Sequence, residues 1–122
     1  MKFSLSDDSA LAIQSYHPGG FKIGGRELQG SQLLFSDQQP TRWPVASMEN
    51  LQEIDLQALQ QSQADTVIIG TGSTLVFPAD ELLAGFFSRQ IGVEIMDTAA
   101  ACRTYNILLG EGRNVSAGLI AI

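Results

Sequence analysis

Short apolar runs, broken every few residues by glycine, proline or polar pairs, set the rhythm of this chain. Leu11, Ile13 and Ser15 alternate with polar or small neighbours and run into the turn cluster His17-Pro18-Gly19-Gly20. Phe21 and Ile23 keep the period of two, Gly24-Gly25 supplies a second turn, and Leu28 precedes a third strand at Gln32 to Phe35. This pattern predicts a meander of short antiparallel strands with glycine-rich hairpin turns, where positive φ costs glycine little. A loop with Pro40, Trp43 and Pro44 follows, with room for one more short strand. Asp55 then caps a short helix bearing Leu56 and Leu59, which ends in the polar run Gln60 to Gln63.

From Asp65 the pattern changes. Thr66-Val67-Ile68-Ile69-Gly70 is a continuous run rich in β-branched residues, the form of a strand buried on both faces. Pro78 stands at a first helical position with Asp80 and Glu81 in the first turn, where negative charge suits the helix dipole. Leu82, Leu83, Phe86 and Phe87 fall at helical spacing, Gly92 marks the exit, and Val93 to Met96 read as a second buried strand. Asp97 or Thr98 caps the next helix, whose Ala99-Ala100-Ala101 side is thin enough to approach a sheet closely. Val115 to Ile122 form a last apolar strand, able to pair with another copy of the chain if it lies at a sheet edge. Strand, helix, strand, helix, strand predicts a βαβ-type α/β layout beside the antiparallel first third.

At 122 residues the chain has the length of one domain, here residues 1–122, and its 44% apolar share is globular rather than disordered. Thirteen acids against seven bases give a net charge of −6, which disfavours generic nucleic-acid binding; the acids read as scattered, without an acidic tail. One cysteine, Cys102, and one histidine, His17, leave no internal disulfide and too few ligands for a zinc site. Met1 to Asp8 lack the apolar core of a secretory signal and the Arg-rich character of a mitochondrial presequence. The apolar runs stop far short of the roughly 20 residues a spanning helix needs. The expectation is a cytoplasmic protein without a transmembrane segment, a metal or a cofactor.

Three constellations bear on chemistry. Gly70-Thr71-Gly72-Ser73 closes the buried strand; such glycines can turn backbone N–H groups toward an anion, yet no Walker lysine or third dinucleotide-fold glycine follows, so a tight strand exit is the stronger reading. Met96-Asp97-Thr98 ends the next strand at a helix start. If the two strands run parallel, Thr71 and Asp97 meet at their carboxyl ends, where α/β sheets gather ligands; an N-cap role for Asp97 or Thr98 competes with that reading. Arg103, Asn106, Glu111 and Arg113 form the densest polar cluster of the second half, suited to a carboxylate or phosphate, or to pairing with acids nearby. Cys102, beside Arg103, is either a buried inert thiol or a reactive one. No G-x-S-x-G elbow is present, and no catalytic set emerges.

The runs Thr66 to Gly72, Val93 to Thr98, Ala100 to Leu108 and Glu111 to Val115, with Pro78, resemble a small α/β domain family of largely unknown function that includes the mitochondrial NADH dehydrogenase (complex I) assembly factor three. Tyr16, Gly20-Phe21 and Trp43 are similar to its N-terminal half, so the resemblance covers nearly the whole chain. It implies a three-layer α/β fold, with a mixed central β-sheet, flanking helices and an additional antiparallel β-hairpin layer from the N-terminal third. It implies no established enzymatic activity, and suggests a partner-binding role, with assembly of a respiratory complex as one form of it. Lacking a presequence, the chain looks like a free-standing bacterial member. The leading expectation is a non-enzymatic interaction or assembly module with protein partners. The alternative is a binder of small anionic ligands, or an enzyme, using a cleft of Gly70, Thr71, Gly72, Asp97, Thr98, Arg103, Asn106, Glu111 and Arg113. A thiol enzyme using Cys102 is the third.

Overall fold

A computed structural model describes residues 11–122; the reading of Met1 to Asp8 falls outside the described residues. Three strands, β1 (Ile13–His17), β2 (Gly20–Ile23) and β3 (Arg26–Gln29), form an antiparallel meander. Its second turn has both Gly24 and Gly25 at positive φ (58° and 79°), the conformation that fits a right-twisted two-residue hairpin. Leu28 therefore lies inside β3 rather than before a third strand. Gly30 (φ 78°) then turns the chain, and β4 (Gln32–Phe35) leaves the meander for a different sheet. Alternation alone did not reveal β3, because three of its four side chains are exposed.

The larger sheet holds β4, β5 (Gln38–Arg42), β6 (Thr66–Gly70), β7 (Gly92–Met96) and β8 (Val115–Leu119) in the order β5-β4-β8-β6-β7. β6 runs parallel to β7 and β8, while β4 runs antiparallel to β8 and β5, so the sheet is mixed. Pro40 is tolerated because β5 is an edge strand. Helices α1 (Gln57–Gln60), α2 (Asp80–Ser88) and α3 (Thr98–Gly110) complete the fold. The β6-α2-β7 connection steps outward and β7-α3-β8 steps back across β6. Two right-handed crossovers in opposite directions place their helices on opposite faces.

The period of two in β6 sorts the core accordingly. Val67 and Ile69 pack with Trp43, Leu56, Leu59 and Phe86 on the α1/α2 side. Ile68 packs with Phe21, Ile23, Ala101 and Tyr105 on the side of α3 and the meander. The result is the three-layer α/β arrangement with its added antiparallel layer.

Several elements depart from expectation. β7 is not buried on both faces: it is an edge strand with Gly92 and Glu94 exposed, since β6 alone pairs with it. β8 lies at the sheet centre between β4 and β6, so it offers no free edge to a second copy. α2 begins at Asp80 after the cap residue Ala79, leaving Pro78 outside the helix, and only Phe86 of its apolar face is fully buried. The turn after α2 is made at Gln90 (φ 60°), and Gly92 already belongs to β7. Asp55 is not an N-cap: its carboxylate accepts from the Gln52 backbone N–H at 2.8 Å, closing a capping box on the 3₁₀ turn Glu53–Leu56. Among the described residues no helix is long and apolar enough to cross a membrane.

Candidate functional site

The carboxyl ends of β6, β7 and β8 come together where the chain enters α3, and one buried threonine ties them. Thr98, fully buried, donates its hydroxyl to Ile120 O (2.7 Å) and accepts from Gly72 N–H (2.8 Å), while its own N–H donates to Gly72 O (2.9 Å). Thr71 N–H extends the parallel ladder to Met96 O at 2.9 Å. Gly70 leaves little room for a side chain: a Cβ there would lie 3.0 Å from Ala101 Cβ, Leu119 Cδ2 and Thr98 Oγ1 alike, so these neighbours would have to give by a few tenths of an ångström. The thin alanine side of α3 allows that approach. Gly72 adopts φ 98°, which glycine takes without strain.

Gly70, Thr71, Gly72, Asp97 and Thr98 are thus gathered as the sequence suggests, but their polar groups are engaged internally. Asp97 Oδ1 caps α3 by accepting Ala100 N–H at 2.9 Å. Thr71 Oγ1 donates to Thr74 O (2.6 Å) and accepts Val76 N–H (3.2 Å), which folds the following loop. The Thr71 and Gly72 amides that could have cradled a phosphate already have acceptors. Beside them lies an open groove of about 330 Å³, lined by Thr71, Gly72, Met48, Glu49, Val76 and Ile122 among others.

The other four residues lie elsewhere. α3 is 13 residues long, so its two ends are roughly 20 Å apart. Arg103 is exposed partway along it. Asn106 clamps the meander to the helix: its Oδ1 accepts Ile13 N–H and its Nδ2 donates to Ile13 O, both at 2.8 Å. Glu111 and Arg113 approach to 3.9 Å as an exposed pair beyond the far end of α3. That pairing is one the sequence offered; no single cleft collects all nine residues.

Cys102 is fully buried, and burial pushes its thiol up to about 12, so the nucleophilic thiolate is withheld at neutral pH. Tyr105 is raised above the tyrosine range, first by burial and then by Asp37. His17 sits at the β1–β2 turn, its Nε2 3.2 Å from Glu27 Oε2. Trp43 is a core anchor, its Nε1 donating to Asp55 O at 2.9 Å. Among the described residues no three His, Cys, Asp or Glu side chains converge as metal ligands would.

The sequence reading passed over one surface feature. The loop after Gly72 carries Leu75, Val76 and Phe77 at 50, 42 and 71% exposure, although each is of a type normally buried. The available signal was an apolar triplet between Gly72 and Pro78 with neither helical nor strand period.

Comparison with known proteins places this geometry. The family described as "Protein of unknown function (DUF498/DUF598)" matches residues 13–120. A human protein, NADH dehydrogenase [ubiquinone] 1 alpha subcomplex assembly factor 3, is 34% identical over 91% of this chain, which spans only 61% of that relative. An uncharacterized protein of Rhodobacter capsulatus is 34% identical over 91% of this chain and 85% of its own length. The crystal structure of a Bordetella parapertussis protein superposes with a TM-score of 0.84 at 27% identity, covering 91% of this chain and 95% of that one.

Proposed function

The chain belongs to the DUF498/DUF598 family, and from that membership we propose that it is a non-enzymatic assembly factor, docking subunits of a respiratory NADH dehydrogenase through the loop Leu75-Val76-Phe77. The single observation that supports a docking role is this exposed apolar triplet at the carboxyl ends of the strands. Exposed apolar groups beside a groove are a feature of protein-binding surfaces, because covering them removes area from water at roughly 25 cal/mol per Å². The relatives named as complex I assembly factors support the assembly role and the identity of the partner. The internal engagement of Thr71, Gly72, Asp97 and Thr98 weighs toward a surface used for contact rather than for chemistry.

The test is affinity purification of the tagged chain from its own host, in parallel with a Leu75→Ser/Phe77→Ser variant. NADH dehydrogenase subunits enrich with the wild type and are lost with the variant, while both melt at the same temperature. Equal recovery by the two proteins, or recovery of the bait alone, refutes the proposal.

A further inference from the structure

The charges around the exposed loop are one-sided. Between Arg42 and Arg103 the sequence places eight acids, from Glu49 to Asp97, and a single base, Arg89. The acids are spread along the chain, but the segment that builds α1, α2, β6, β7 and the loop has almost no bases to balance them. Glu49 shares the groove with Val76, and Asp80 and Glu81 follow the loop directly at the start of α2. All three are exposed, and none makes an ion pair among the described residues. Arg89 stands at the opposite end of α2, where its Nη1 donates to Gly85 O at 3.1 Å and caps that helix. Asp80 and Glu81 suit the positive end of α2, but that role does not explain Glu49 on a separate turn, and among the described residues no Lys or Arg lines the groove.

Resting on the protein-docking reading above, we propose that the partner element seated on this loop is a basic amphipathic segment, with large apolar side chains over Leu75-Val76-Phe77 and Lys or Arg facing Glu49, Asp80 and Glu81. An apolar loop flanked by three carboxylates without ion-pair partners repels anionic membrane surfaces and nucleic acid, and attracts a cationic segment that covers apolar area at the same time. The flanking acids set the choice of partner and the rate of encounter; the apolar triplet supplies the contact area.

Three synthetic helix-forming peptides of equal length test this against the intact protein by amide chemical-shift titration: one apolar with lysines, one apolar with glutamates, one with lysines and serines only. The basic apolar peptide binds and shifts the amides from Ser73 to Glu81, and the other two do not. Its affinity falls about tenfold in Asp80→Lys/Glu81→Lys, and the difference shrinks as salt is raised. Glu49→Lys, outside α2, moves affinity in the same direction, which separates charge from any loosening of the helix. Equal binding of both apolar peptides at the loop overturns this inference and leaves the docking reading standing. Binding only at another face, or no binding at all, overturns the inference, and the pull-down with Leu75→Ser/Phe77→Ser decides the docking reading separately. Retention on phosphatidylglycerol vesicles, dependent on Leu75 and Phe77, assigns the loop to a membrane and also overturns the inference.

Discussion

Replacing Gly118 with alanine sets two effects of known size against each other at the centre of the sheet. Gly118 pairs with Leu33 of β4 and Ile69 of β6, and the Trp43 ring lies over it. A Cβ there would stand 2.6 Å from Trp43 Cη2 and 2.8 Å from Cζ3, against the 3.4 Å at which such contacts become ordinary, so the ring must retreat by 3.4 − 2.6 = 0.8 Å. It has little freedom to do so: Trp43 is 1% exposed and its Nε1 is bonded to Asp55 O. Alanine gains about 0.5–1 kcal/mol over glycine by restricting the unfolded chain. Overpacking costs about 1–3 kcal/mol, and loosening a buried hydrogen bond about 1 more. The net expectation is a loss of about 1–3 kcal/mol, or a Tm lower by roughly 3–12 °C for a domain of this size. Trp43 is the only tryptophan, so urea titration followed by its emission reports both stability and ring environment. In a Trp43→Phe background, followed by circular dichroism, the same substitution costs less, because the outer ring atoms that clash are gone. If Gly118→Ala is as stable as wild type and its native emission is unchanged, the packing argument is wrong.

Thr98→Val keeps the shape but orphans Gly72 N–H and Ile120 O, and is expected to cost about 2–4 kcal/mol in urea titration, with Thr98→Ser recovering most of it. Asn106→Ala frees both backbone groups of Ile13; amide exchange of Ile13 and its β1 neighbours should accelerate, with a global loss of about 1–3 kcal/mol. Cys102 holds its proton to about pH 12 when folded, against an ordinary value of 9.0. Above pH 9 the unfolded chain releases that proton first, so stability falls through this window by up to about 1.4 kcal/mol per pH unit, and does not change on this account below it. Burial of Tyr105 acts in the same direction at its own, higher range. Urea titrations of wild type and Cys102→Ala across the alkaline range check the sign: the variant's slope is shallower. Iodoacetamide should modify Cys102 only as fast as the protein opens.

Much of the fold was legible in the sequence because its determinants are local. Val67, Ile68 and Ile69 are apolar without alternation, which suits a strand covered on both faces, and β6 is such a strand. Gly24-Gly25 makes its turn through its own φ angles, and Asp97 caps α3 with a bond spanning three residues. Of the candidate site, the meeting of Thr71 with Asp97 also followed, since parallel strands in register bring their carboxyl ends together.

Tertiary structure decided the rest. The periodicity of β7 or β8 states which side chains are apolar, not how many strands lie beside them; placement put Val93 to Met96 at an edge and Val115 to Leu119 at the centre. Asn106 reads as a free polar group until folding brings Ile13, 93 positions away in the chain, within hydrogen-bonding reach. Leu75, Val76 and Phe77 look like core residues in sequence, and only the path of the loop from Thr71 to Pro78 leaves them in solvent. A side chain's hydrophobicity is carried by the residue itself, whereas its burial depends on neighbours that arrive from distant parts of the chain.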